Sequence, residues 1–259
     1  MAHQVYENIV LSNKVNDILT TKVDLNNYLT IDNTLAHDAG MKKVINVYTA
    51  TGNVEELAMG EGNTGSIEVS FTPVEYEVKT FQGKFDFYDE QEMTDPMVVD
   101  VGLKGSADSM TNEFVAKTIA EFEKATLEVP AAAWSFDVVV DAIAKLNRET
   151  EGDLFMLISP ADQAALRKAL KDELKYSEAF VRTGYIGSVC GVPVVMTKAV
   201  PAGKAYLANK EAVTLFIKKD TETEYERDAD TRHNFYWIRK VGVVALTDAT
   251  KAVKITIGG

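Results

Sequence analysis

The chain has 259 residues, 46% hydrophobic and 25% charged, the balance of a soluble protein of one or two domains. A net charge of −12 sets the surface against gripping free nucleic acid, and the single cysteine, Cys190, excludes an internal disulfide or a multi-cysteine zinc site. No apolar run reaches bilayer length and the opening MAHQVYENIV lacks a signal-peptide layout, so no membrane partner and a cytoplasmic product are expected.

Residues 1–42 form a polar arm. Its apolar residues, among them Val5, Ile9, Ile18, Leu25, Leu29 and Ile31, keep no sustained period. Short helical pieces joined by extended chain are expected there, with no core of their own; such an arm gains order by lying on something else, often a neighbouring subunit. From 43 to 94 the pattern turns to strand. Val44, Asn46, Tyr48 and Ala50 alternate with Ile45, Val47 and Thr49, and Ile67, Val69 and Phe71 alternate after the tip Met59-GEGNTG-Ser66. Pro73 shifts the phase, which predicts a bulge or bend. The segment reads as a long two-stranded excursion, and a lone hairpin is marginal in water, so it needs a partner surface.

Residues 95–130 hold a spine helix. Val99, Leu103, Ala107, Met110, Phe114 and Thr118 follow a three-to-four residue step, and Val115, Ile119 and Phe122 widen the stripe. Val99, Leu103, Met110, Phe114 and Phe122 are its expected core contacts. Asp95 is placed to cap the first turn and Pro96 to occupy its first position. About 30 residues would make a rod of roughly 45 Å. Gly102 and Gly105 weaken its start, so the regular part is expected from near Ser106.

Residues 131–218 read as a mixed α/β unit. Trp134 to Asn147 is an amphipathic helix capped by Ser135, with Phe136, Val139, Val140, Ile143 and Leu146 inward. Asp153 to Ser159 is a strand buried on both faces, and Ser159-Pro160 starts a helix with Leu166 and Leu170 inward. Lys171 to Gly187 reads as a loop, followed by strands at Val192–Met196, Lys204–Leu207 and Ala212–Ile217. Residues 219–259 close the chain with strands at Asn234–Thr247 and Ala252–Ile257. The fold class is α+β.

Catalysis finds no foothold. Gly60, Gly62 and Gly65 spell a dinucleotide fingerprint, but they lead into alternating Ser66-Ile67-Glu68-Val69 instead of a helix, which makes them a hairpin tip. Gly203-Lys204 lacks the earlier glycine of a phosphate loop, Lys198 standing in its place. Ser159 lacks the glycines of a nucleophile elbow. His3, His37 and His233 are too scattered for a metal site, and Asp228 and Asp230 lack the glycine of a calcium loop. Cys190 reads as a small buried strand residue. No enzyme activity, cofactor or metal is expected.

In this order the chain resembles the major capsid proteins of tailed bacteriophages, with the Hong Kong 97-like fold that encapsulin shells share. The resemblance rests on EYEVKTFQGKFDFYDEQEMTDP (75–96), DLFMLISPADQAALRKAL (153–170), GYIGSVCGVPVVMTKAVPAGKAYLAN (184–209) and HNFYWIRKVGVVALTDATKAVKI (233–255). It implies an N-terminal arm (1–42), an extended β-hairpin loop (43–94), the spine of a peripheral domain (95–130), an axial domain (131–218) and return strands shared by both (219–259). It also implies a homo-oligomer of pentamers and hexamers forming an icosahedral virion capsid. Assembled in the host cytoplasm, that shell would enclose double-stranded DNA without sequence-specific binding. Gly60, Glu61, Gly62, Asn63, Thr64, Gly65, Ile67, Val69 and Phe71 would then lie at a subunit interface, over a neighbour's spine helix. Portal and decoration proteins are further implied partners. The short arm implies a separate scaffold, a matured chain, or a relative that never had a scaffolding segment. Some relatives cross-link lysine to asparagine, for which Lys79, Lys84 and Asn63 are candidates. The alternatives are an encapsulin-type compartment and, from another class, a small-molecule α/β enzyme.

Overall fold

A computed structural model describes residues 6–7, 28–36, 39–148, 153–171 and 187–258. Its first strands are β1 (Tyr6–Glu7), β2 (Thr30–Asp32), β3 (Lys42–Thr51), β4 (Glu68–Glu77) and β5 (Lys79–Tyr88). Helices α1 (Asp89–Thr94) and α2 (Val98–Phe122) follow, then β6 (Leu127–Ala131), α3 (Phe136–Lys145), β7 (Leu154–Ile158) and α4 (Pro160–Ala169). The remainder is strand, apart from a 3-10 turn at Ala249–Lys251: β8 (Ser188–Val189), β9 (Val192–Met196), β10 (Lys204–Asn209), β11 (Val213–Asp228), β12 (His233–Leu246) and β13 (Ala252–Ile257).

The spine helix α2 runs for 25 residues, about 37 Å at the usual rise. It starts before both glycines, not at Ser106. The reason is tertiary: a Cβ on Gly102 would lie 2.3 Å from the Phe85 ring, so the glycine lets that ring rest on the helix backbone. Asp95 does not cap this helix. Its backbone closes α1 by donating to the Gln91 carbonyl, and its carboxylate accepts from the Met97 amide at 3.0 Å, turning the chain between two helices. Inside α2, Thr111 and Thr118 are buried because their hydroxyls donate to the carbonyls of Ala107 and Phe114, four residues back.

One side of the spine faces a twisted ribbon. β11 and β12 pair antiparallel, β5 adds on β12, and β1 and β2 add on β11, the last in parallel. Phe81 of β5 meets Phe114 at 4.6 Å between ring centres. Beyond it the six-stranded sheet β6-β13-β10-β7-β9-β8 turns one face to the spine, through Phe155, Leu157, Tyr206 and Ala208, and the other to α3 and α4. β7 is buried along its whole length, as a strand covered on both faces must be. Ser135 and Ser159 cap α3 and α4, accepting from the amides of Val138 and Asp162. Buried Asp162 accepts from the Trp134 indole, the Ser159 hydroxyl and the Gly203 amide, which joins the starts of both helices to the loop before β10.

Several elements differ from expectation. The arm segment 28–36 lies on its own chain: Leu29 is fully buried, Tyr28 packs edge-on to Phe155, and β2 pairs with β11. Most of the expected helical pieces of the arm, and the loop 172–186, fall outside the described residues. The strand-rich segment is not one two-stranded excursion. Only β3 and β4 form the hairpin, and after a bend at buried Val78 the chain continues as β5 in the main ribbon. The ladder passes Pro73 without a register shift, because a two-stranded ribbon has outer edges where no donor is required. In α3, Phe136 and Val140 face outward, whereas Val138, Val139, Ala142 and Leu146 are buried. Cys190 is half-buried in the β8–β9 turn with φ +52, beside Gly191 with φ +78, so it is a turn residue. Leu127–Ala131 forms an unforeseen edge strand, and β11 runs on to Asp228.

Candidate assembly surface

The β3–β4 hairpin is held at its root and bare beyond it. Ile45 and Tyr76 pack on a small cluster of Leu35, Val78, Phe216 and Val241, and the Tyr76 hydroxyl donates to the Leu246 carbonyl at 3.1 Å. An ion pair from Lys42 to Glu75, 3.0 Å, ties the two strands there. Farther out, Tyr48 opposes Phe71 and Ala50 opposes Val69, which gathers these side chains on one face of the ribbon with Val44 and Pro73. Phe71 is 62% exposed and Val69 65%, and the rings of Tyr48 and Phe71 face each other, centres 6.0 Å apart. Among the described residues nothing covers that strip.

The tip is pinned from inside. Glu55 accepts from the amide and the hydroxyl of Thr64, at 2.8 and 2.7 Å. The Thr64 backbone bond is the main cause holding the Glu55 carboxyl below the usual carboxylate range. Gly52 (φ +142) crosses so close to Ile67 that a Cβ would stand 2.9 Å from its Cα. At the far end the Glu61 amide donates to the Ala58 carbonyl, Gly60 has φ +92, and Gly62, Asn63 and Gly65 are exposed. Gly60, Glu61, Gly62, Asn63, Thr64 and Gly65 therefore make an outward knuckle. Ile67, Val69 and Phe71 run back along the bare strip. Sequence reading missed the strip's other half, Val44 and Tyr48 on β3, and the fully exposed Met59 at the knuckle. The shared parity of Val44, Tyr48 and Ala50 was the available signal.

The expected spine residues are placed differently. Leu103, Met110, Phe114 and Phe122 are buried in the main core, while Val99 packs half-buried at its rim. Phe122 meets Phe155 edge to face and stacks on Tyr206, with ring centres 6.1 and 6.0 Å away. Just past the helix, Glu123 accepts from Lys204 at 2.6 Å and from the Tyr206 hydroxyl at 2.5 Å. Burial alone would raise the Glu123 carboxyl, but these two donors bring it net below its ordinary value. Burial, then the bond to Glu123, pushes the Tyr206 phenol up. An open groove of about 520 Å³ runs between β5 and the first half of the spine, lined by Thr80, Gln82, Lys84, Ser106 and Ser109.

At the outer end of the ribbon, Asp89 ties three elements together. Its carboxylate accepts from Asn234 (2.6 Å) and Arg227 (2.5 Å), which in that order hold it below the usual range. Tyr225 donates to Asn234, fixing β11, β12 and α1 around one carboxylate. Arg239 pairs with Glu222 and Glu224 along the same ribbon. Among the described residues no cluster of three or more His, Cys, Asp or Glu side chains is placed to hold a metal ion, and no helix is long and apolar enough to cross a membrane.

A bare hairpin, a long spine helix on a ribbon and a mixed sheet with two helices define the Hong Kong 97-like class of capsid subunits. Solved shells share this shape: the capsid of a native GTA particle has a TM-score of 0.71 at 13% identity, covering 91% of this chain and 90% of that one. The bacteriophage PhiM1 mature capsid gives 0.70 at 13%, covering 90% and 86%, and a virus-like particle from Pyrococcus furiosus gives 0.66 at 11%, covering 95% and 97%. The sequence model of the phage capsid protein family matches residues 71–255, and the chain belongs to that family. A major capsid protein of Staphylococcus phage phiMR11 is 27% identical over 247 residues, 93% of this chain and 89% of the relative.

Proposed function

We propose that the chain is the major subunit of an icosahedral phage shell, assembled through pentamers and hexamers in the host cytoplasm around double-stranded DNA. In this reading residues 1–42 are the arm, the β3–β4 hairpin (43–77) is the extended loop, narrower than the expected 43–94 because β5 and α1 belong to the ribbon, and 95–130 are the spine of a peripheral domain. Residues 131–218 form the axial domain and 219–259 the shared return strands. The work is association, without catalysis. The observation that carries it is the bare strip of Tyr48, Val69 and Phe71 on a hairpin to whose outer edges no strand pairs among the described residues. Such a surface is stabilised by a neighbour's spine and strand edge, which would supply apolar cover and backbone partners together. The acidic net charge of −12 keeps the wall from adhering to the genome. Scaffold, portal and decoration proteins would be its further partners.

The test is electron microscopy of the purified protein with extraction of nucleic acid from any particles. Closed shells from the wild type are expected. Replacing residues 55–72 with an Asn-Gly turn should leave a folded subunit that sediments as monomers or isolated rings. Shells of that variant at normal yield would sink the loop assignment. Wild-type shells filled with an enzyme in place of DNA would move the chain to the encapsulin-type reading.

A further inference from the structure

Among the described residues helix α3 is covered on one side only. Val138, Val139, Ala142 and Leu146 are buried against the six-stranded sheet, yet Phe136 and Val140, one turn apart, are each 40% exposed. Asp137, Asp141 and Ala144 are exposed beside them, with Lys145 at the far end. Helix α4 is its counterpart in character. Leu166 and Leu170 point inward, while Ala161, Ala164 and Lys168 are exposed, as is Lys171 just beyond. The acid of α4, Asp162, is buried under the Trp134 indole.

Both helices lie on the same face of the sheet, but toward different edges. α3 packs on β6 and β13. α4 continues from β7, and its leucines share a cluster with Val189 and Val192 of β8 and β9. The unit therefore offers bulky apolar groups with two carboxylates on one side, and small residues with two ammonium groups on the other.

Resting on the ring-forming subunit proposed above, we propose that α3 of one copy packs on α4 of the next, head to tail around the ring. Different patches meeting in this way close into rings, as an isologous contact does not. The alanines of α4 leave room for Phe136 and Val140 to sit close to its backbone. Asp137 and Asp141 meet Lys168 and Lys171 across that contact.

The experiment uses the full chain and charge reversal at exposed positions, checked by thermal melting of the free subunit. Asp137→Lys with Asp141→Lys should melt as wild type and lose rings, and so should Lys168→Glu with Lys171→Glu. All four substitutions in one chain should restore rings and shells. Mixing the two double variants should give even-membered rings only, because opposite copies can alternate around six positions but not five, and so no closed shell. Assembly of either double variant at wild-type yield would overturn the inference, as would a loss that the fourfold variant does not repair. Rings that persist while shells are lost would also overturn it, placing α3 between rings. Absence of shells from the wild type would instead be a failure of the capsid reading.

Discussion

Phe71→Ala separates the stability of the subunit from the stability of the shell. The ring is 62% exposed and among the described residues pairs with the ring of Tyr48, so a free subunit loses only a cross-strand pair, about 0.5–1 kcal/mol within the hairpin. Complete burial of such a side chain is worth ~1.5–3 kcal/mol, and the exposed share corresponds to about 1–2 kcal/mol that only a neighbour can recover. At 1.4 kcal/mol per tenfold, each hairpin contact should weaken about tenfold, and the loss recurs at every subunit of a shell. Calorimetry of dissociated subunits should show a melting shift below about 3 °C. Light scattering across a concentration series should show the assembly threshold rising about tenfold. A variant that melts many degrees lower, yet assembles at the wild-type threshold, would mean that Phe71 belongs to the subunit core.

Three further outcomes follow from the same geometry. Phe114→Asp places an unpaired charge against Phe81 in the main core, and insoluble or unfolded subunits are expected; a soluble variant with native circular dichroism would contradict the packing. Gly102→Val drives a side chain into the Phe85 ring and should cost ~1–3 kcal/mol in denaturant unfolding, with Phe85→Ala in the same chain removing the clash. Glu123, held net below its ordinary value, stabilises the fold above the unfolded carboxyl range, roughly pH 4.3, and that contribution fades as pH falls through the folded value. Glu123→Gln should therefore differ from wild type most at neutral pH and converge on it in acid; a difference independent of pH would refute the ionic role.

Much of the architecture was readable because packing in this chain is written in local periods. The spine shows its buried stripe at helical spacing, and LFMLI announces a strand covered on both faces. What escaped reading depends on partners distant in sequence. The second half of β11, KKDTETEYERD, looks like a solvated turn, yet β12 neutralises it, Arg239 on Glu222 and Lys240 on Asp220. Pro130 disguised β6, which survives as an edge strand beside β13. In α3 apolar residues cover most of the circumference, so hydrophobicity alone could not say that Phe136 and Val140 turn away from the sheet. Gly102 read as a weak point of the helix because Phe85, its reason, lies in another element. At the assembly surface the knuckle was legible from its glycines and the strip from Ile67, Val69 and Phe71. The β3 half needed the register that sets Tyr48 against Phe71.

The β11–β12 ribbon carries a bend that is built in. From Ile217 to Glu222 the first strand advances five residues while the second, from Gly242 to Arg239, advances three, so two residues of β11 bulge from the ladder. At that point Gly242 lies so near the Phe216 carbonyl that a Cβ would stand 2.7 Å from its oxygen. The angle between the two ends of the ribbon is thus fixed by strand register and one missing methyl group, with no hinge to relax it. In a closed shell the curvature accumulates from an angle repeated in every subunit. Gly242→Ala is expected to alter the diameter of the particles, read by electron microscopy, through the bend of the ribbon.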